Sequence, residues 1–162
     1  MDATAIVARI GRALERNGLE AVLIGNAGAA IHGAPVTTVD IDFLYRRTPA
    51  NLRKIKRIAK DLEAVVFAPF YPTSGILRMM NDDETLQVDF MDQVSGVRSF
   101  EGIRKRARQV TIEGAKLMVA DLSDIIKMKR AAGRARDRAV LEILEKTLEA
   151  TQTNQENKPS RA

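Results

Sequence analysis

The sequence has no cysteine, no tryptophan and a single histidine, His32. Disulfide staples, Cys-ligated zinc and a thiolate nucleophile are excluded, and one imidazole has no partner for a His-based metal site or a Cys-His dyad. No apolar run approaches the roughly 20 residues that a membrane span needs. The first residues, MDATAIVARIGRALER, carry charges throughout and lack the apolar stretch of a secretory signal. The expectation is a soluble cytoplasmic protein with no membrane partner. What remains is ample for folding. The 162 residues are 45% hydrophobic and 29% charged, enough for one compact domain with a real core. That domain is placed at residues 1–150, followed by a polar, aperiodic tail over 151–162 that reads as disordered.

Charge is unevenly spread. Lys and Arg number 26 against 21 Asp and Glu, a net +5. Arg46, Arg47, Arg53, Lys54, Lys56, Arg57 and Lys60 form one basic group; Arg98 to Arg108 and Lys127 to Arg138 hold two more. The acids gather at Asp40 and Asp42, and again from Asp82 to Asp92. Basic surface around an acidic centre suits a polyanionic partner that approaches a cation-holding site.

Periodicity organises the chain. Ile6, Val7, Ile10 and Leu14 recur at helical spacing before Asn17-Gly18, and Ala21 to Ile24 reads as a buried strand. Gly25 to Gly33 begins a short helix, Val39 to Leu44 alternates as a strand, and Leu52, Ile55, Ile58 and Leu62 mark a helix. A short strand at Ala64 to Phe67, a loop at Phe70 to Gly75 and a hairpin of Ile76 to Met80 with Leu86 to Met91 follow. Phe100 to Arg106 reads as a helical turn, and Gln109 to Ile112 and Lys116 to Val119 read as strands. Asp121 or Ser123 can cap a helix that Gly133 interrupts, with Val140, Leu141, Leu144 and Leu148 on its continuation. The pattern predicts an α/β fold, a mixed sheet flanked by helices with a C-terminal helix pair.

The chemistry concentrates in Ile24 to Tyr45. On a strand, residues two apart share a face, so Asp40 and Asp42 project together. Adjacent carboxylates without a base between them repel unless a cation sits there, and hard oxygen ligands suit Mg²⁺ or Mn²⁺. Leu86, Val88 and Phe90 turn to the core, which puts Asp89 on the opposite face. If its strand lies beside that of Asp42, three carboxylates converge, a set able to hold two metal ions about 3.5–4 Å apart for phosphoryl-type transfer. Gly25-Asn26, where a strand passes into a helix, offers free backbone N–H groups and the helix dipole to a phosphate chain.

Gly25-Asn26, His32-Gly33, Thr38, Asp40-Ile41-Asp42 and Asp89, in this order, resemble the nucleotidyltransferase superfamily related to DNA polymerase β. A closer likeness is to small bacterial members, including those grouped with AbiEii-type abortive-infection toxins, whose helix pair Leu122 to Asp137 also resembles. It covers most of residues 20–148. The resemblance implies transfer of a nucleoside monophosphate from an NTP to a hydroxyl with release of pyrophosphate. It implies Asp40 and Asp42 as metal ligands, and Asp89 as the third ligand and general base. Gly25, Asn26 and Lys129 would hold the nucleotide, with Asp137 a further candidate. Implied acceptors are an RNA 3′ end such as that of tRNA, a protein hydroxyl or a small molecule, and a cognate toxin or antitoxin protein is an implied partner. Asn26 stands where Gly or Ser is usual and Val36 where Arg is frequent. Those two positions motivate a second reading, a catalytically silent member acting as a binding module. His32 reads as structural.

Overall fold

The computed structural model describes residues 3–69 and 75–157. Among them, six helices and seven strands follow in the order α1 (Ala3–Asn17), β1 (Ala21–Ile24), α2 (Gly25–Ile31), β2 (Ile41–Tyr45), α3 (Pro49–Asp61), β3 (Ala64–Phe67) and β4 (Leu77–Asn81). The chain continues through β5 (Gln87–Met91), α4 (Phe100–Arg106), β6 (Arg108–Ile112), β7 (Ala115–Val119), α5 (Leu122–Ala132) and α6 (Ala135–Glu156). The strands form one mixed sheet in the order β3-β4-β5-β2-β1-β7-β6. The expected α/β fold, flanking helices and C-terminal helix pair are all present.

The alternation of each strand divides the core in two. Leu23, Phe43, Val88 and Phe90 face one layer with Ile10 and Leu14 of α1 and Ile55 and Ile58 of α3. Val22, Ile24 and Leu44 face the other with Ile103 of α4, Ile125 of α5 and Leu144 of α6. Strand β1 is covered on both sides, which is why Ala21 to Ile24 is an unbroken apolar run. Fully burying a side chain such as Ile58 contributes about 1.5–3 kcal/mol. These packed layers, more than helix propensity, hold the short α2 and β1 in register.

Local signals fix the helix ends. Thr48 accepts from the Asn51 N–H at 3.1 Å with Pro49 in the first turn of α3. Asp121, not Ser123, caps α5 by accepting from the Ser123 N–H at 2.9 Å. Gly133 stops α5 in the left-handed region at φ 63°, so α6 can turn back onto it.

Two expectations need correction, and a third lies outside the described residues. Strand β2 starts at Ile41, with Asp40 in a bend before it and Val39 88% exposed, so Val39 does not join the buried face. The cause is local: the Thr38 hydroxyl donates to the Asp40 carbonyl at 2.6 Å and to its carboxylate at 3.0 Å, diverting the chain from the ladder. The segment from Thr151, read as a disordered tail, is helical through Glu156. Helix α6 is anchored on α5 by Leu141, Leu144 and Leu148, and adding residues to an existing helix requires no new nucleus. Third, the loop placed at Phe70 to Gly75 falls, apart from Gly75, outside the described residues.

Candidate active site

The parallel pairing of β2 with β5 sets Asp42 directly beside Asp89, as Ile41 pairs with Val88 and Phe43 with Phe90. Paired residues share a face, so both acids emerge on the α5 side of the sheet. Asp40 joins them from the bend, and one carboxylate oxygen from each of the three lies within 4.8 Å of the others. The residues that the sequence singled out therefore do meet. Beneath them, on the opposite face, the Phe43 and Phe90 rings stack with centroids 5.8 Å apart, a dry floor that fixes the spacing of the two strands.

The electrostatics follow from this crowding. Burial, then the charges of Asp40 and Asp89, push the Asp42 carboxyl up to about 7. Lys129 and Arg134 pull the other way without reversing the effect. Asp89 is only 3% exposed, yet its two oxygens accept from Arg78 Nε at 2.8 Å and Nη2 at 2.7 Å. This bidentate pair fixes the carboxylate in plane beside Asp42.

Gly25 closes the other side. Its φ is +66°, and a Cβ there would lie 2.3 Å from Asp42 Oδ2. Only glycine lets the backbone pass this close to the acid. Helix α2 begins here with no side-chain cap, so its first N–H groups have no intrahelical partner. The Asn26 amide nitrogen donates to the Thr37 carbonyl at 3.2 Å, tying α2 to the loop that leads to Asp40, while its Oδ1 is buried without a hydrogen-bond partner.

A cleft of about 290 Å³ opens beside Asp42, lined by Gly25, Met91, Lys129 and Arg134 among others. The two cations are held by one acid. Asp137, 2% exposed, accepts from Arg134 Nε at 2.5 Å and lies 3.5 Å from Lys129 Nζ. Burial alone would raise the Asp137 carboxyl, but the bonds and charges of Arg134 and Lys129 outweigh it and keep it below the ordinary value. Lys129 is thus brought to the acid cluster, and Asp137 acts as the salt-bridge partner of its neighbours.

His32 is remote from the acids in function: one ring nitrogen lies 2.8 Å from the Ala120 carbonyl and the other 2.7 Å from Arg108 Nη2. Burial lowers its basicity, with Arg108 adding to the effect. It joins α2 to the end of β7, a structural role. Val36 packs, half-buried, against the second core layer.

Arg78 is not among the candidate residues read from the sequence, and Arg134 stands there only as one of a basic group. A hairpin folded symmetrically about Asp82 to Thr85 sets Arg78 opposite Asp89, so Arg78 was recoverable from the register. Arg134 was not, because its place depends on how α6 folds back after Gly133.

Three carboxylate oxygens in one patch, a glycine-permitted backbone approach and two cations over an adjoining cleft fit a divalent cation with a polyphosphate, on donor chemistry and charge. Among the described residues, no helix is long and apolar enough to cross a membrane.

A family model described as "Nucleotidyl transferase of unknown function" (DUF2204) matches residues 3–158. Among solved structures, TM1012 of Thermotoga maritima, a candidate nucleotidyltransferase, is similar at 21% identity and TM-score 0.62, covering 85% of this chain and 89% of its own. ANT(2")-Ia in complex with adenylyl-2"-tobramycin is similar at 13% identity and TM-score 0.64, covering 93% and 92%. The lincosamide antibiotic adenylyltransferase LnuA, lincomycin-bound, is similar at 12% identity and TM-score 0.57, covering 82% and 89%. At these identities the likeness is one of fold. No curated protein matches the sequence.

Proposed function

The chain belongs to the DUF2204 family of nucleotidyl transferases, matched over residues 3–158, and from that premise we propose that it is a metal-dependent enzyme moving a nucleoside monophosphate from an NTP to a hydroxyl acceptor. The observation that carries this reading is the meeting of Asp40, Asp42 and Asp89, whose oxygens lie within 4.8 Å of one another.

In this reading the three acids hold Mg²⁺ or Mn²⁺, which when bound screens phosphate charge and lowers the barrier to attack at phosphorus. Gly25 and the first N–H groups of α2, with Asn26, bind the phosphate chain. Lys129 and Arg134 neutralise the pyrophosphate, held in place by Asp137. Asp89, oriented by Arg78, accepts the proton of the attacking hydroxyl at a carboxylate oxygen. The hydroxyl oxygen forms a bond to the α-phosphorus as the bond to the α,β-bridging oxygen breaks, and pyrophosphate leaves with that electron pair.

The acceptor is a hydroxyl, in keeping with the adenylyl-2"-tobramycin bound in ANT(2")-Ia; the net charge of +5 favours an anionic acceptor such as an RNA 3′ end over a polycation. The likeness of the helix pair to abortive-infection toxins is the support for a cognate antitoxin partner.

The test is incubation with labelled NTPs, Mg²⁺ or Mn²⁺ and total tRNA or protein, with Asp42→Ala as control. Label transfer that Asp42→Ala abolishes is the expected result. The second reading, a silent binding module, is favoured by Asn26, whose amide is engaged by Thr37 instead of pointing free. Nucleotide binding without transfer to any acceptor would decide for it.

A further inference from the structure

Strand β3 stands at one end of the sheet, hydrogen-bonded to β4 and, along its outer side, to no strand among the described residues. Exposed edges ordinarily carry a charge, a proline or a bulge that blocks pairing with another chain. This edge reads Ala64-Val65-Val66-Phe67 in unbroken register and carries none of the three. Its two faces differ. Ala64 and Val66 pack against the first core layer, on the α3 side. Val65 and Phe67 therefore point to the opposite face, where they are 61% and 42% exposed.

Helix α3 flanks the edge on the first of these faces. Its buried stripe of Ile55, Ile58 and Ala59 sits on the sheet. One flank of the helix is turned to α1: Lys54 Nζ donates to the Gly18 carbonyl at 2.8 Å, and Asp61 meets Arg16 and Asn17. Helix α1 lies over β7 and α3 over β3, toward opposite ends of the sheet. The other flank of α3 therefore looks outward past β3. At 3.6 residues per turn it carries Lys56 and Lys60, with Arg53 and Arg57 along the crest of the helix. All four are exposed, and none has an acidic partner among the described residues.

We propose that the β3 edge is a docking site for an acidic partner polypeptide, which adds an extended segment to the sheet as a further strand. Side chains alternate across a strand, so one set of the segment's residues falls on the side of Val65 and Phe67 and the other on the side of Lys56 and Lys60. The segment that fits alternates apolar residues with Asp or Glu. Backbone hydrogen bonds along the edge supply affinity, and the unlike faces supply selection. A second copy of the chain fits badly, because antiparallel pairing of β3 with itself sets two cationic flanks side by side. None of these residues belongs to the acid site, so the docking edge stands or falls apart from the transfer reading.

The probe is a short, fluorescently labelled peptide of alternating Glu and Val, with binding read by anisotropy at low salt. It is compared with a peptide of the same composition in two blocks, with the alternating peptide N-methylated at every residue, and with alternating Lys and Val. The acidic alternating peptide should bind most tightly, and added salt should weaken it. Lys56→Glu combined with Lys60→Glu should weaken it about tenfold, through two lost attractions and two new repulsions, and should favour the Lys-Val peptide. Phe67→Ser should also weaken it, and amide exchange over residues 64–67 should slow when the peptide is bound. Both variants should bind a non-hydrolysable NTP with Mn²⁺ as the wild type does. Equal binding of the block or N-methylated peptide would overturn strand addition, as would unchanged affinity in the double charge reversal. The proposal also fails if sedimentation shows a dimer that Phe67→Ser dissociates, which gives the edge to a second copy. A short RNA that binds through Lys56 and Lys60 where the acidic peptide does not would give the flank to nucleic acid and overturn it equally.

Discussion

Asp42→Asn should make the metal-free protein more stable, and only at higher pH. In the folded chain the Asp42 carboxyl is held near pH 7 against an ordinary 3.8, by burial first and by Asp40 and Asp89 next. Below about pH 3.8 the folded and unfolded chains both keep the proton, and the contribution of the neutral acid is fully present. Between 3.8 and about 7 the unfolded chain releases a proton that the folded chain retains, so stability falls as pH rises. Above 7 the loss is complete. At about 1.4 kcal/mol per pH unit, the interval amounts to about 4 kcal/mol, an upper value because the neighbouring acids share the charge. Asparagine carries no proton to lose. Thermal melts from pH 4 to 9 should therefore show the wild type sliding below Asp42→Asn, by up to about 10 °C at a few degrees per kcal/mol for a chain of this size. Added Mn²⁺ should rescue the wild type above pH 7 and leave Asp42→Asn unmoved. Parallel pH profiles for the two proteins would refute the crowded-acid account, as would an equal response to Mn²⁺.

Gly25→Ala puts a methyl 2.3 Å from Asp42 Oδ2 at a positive φ; Mn²⁺ affinity, read by calorimetry, should fall at least about tenfold, with a stability loss of about 1–2 kcal/mol. Asp137→Asn frees Lys129 and Arg134 from their shared anchor; KM for NTP should rise with kcat less affected, and urea melts should show a loss of about 2–3 kcal/mol, less than for a wholly buried pair because Arg134 is half exposed. Ile58→Ala, far below the acids in the first core layer, should cost about 2–5 kcal/mol while nucleotide affinity measured below the melting temperature stays at the wild-type value.

Much of this was legible in the chain itself. The hairpin, the helix pair broken at Gly133 and the alternation that turns Asp89 away from Val88 and Phe90 are all local patterns, and local patterns survive into the fold. Whether Asp89 meets Asp42 is a question of which strands become neighbours, and that the sequence could pose only as a condition; the parallel β2–β5 pairing answers it. Arg134 stayed hidden because its role is created by tertiary return of α6. Asp40 was placed on a strand because alternation continues through it, yet a side-chain bond from Thr38 competed successfully with the ladder. The end of α6 misled for a related reason: polar composition argues against a buried segment, but Thr147, Thr151 and Thr153 satisfy their hydroxyls on carbonyls four residues earlier and ride on an already anchored helix.

The pairing of β2 with β5 joins strands separated by α3, β3 and β4. Its neighbours in the site, Gly25 and Arg134, come from near opposite ends of the polypeptide. On the proposed reading no fragment carries a working subset: a piece ending after β2 has the Gly25 turn and two acids but neither Asp89 nor the Lys129–Arg134 pair. The proposed reactivity is thus a property of the assembled fold, drawing its parts from Gly25 near one end to Arg134 near the other.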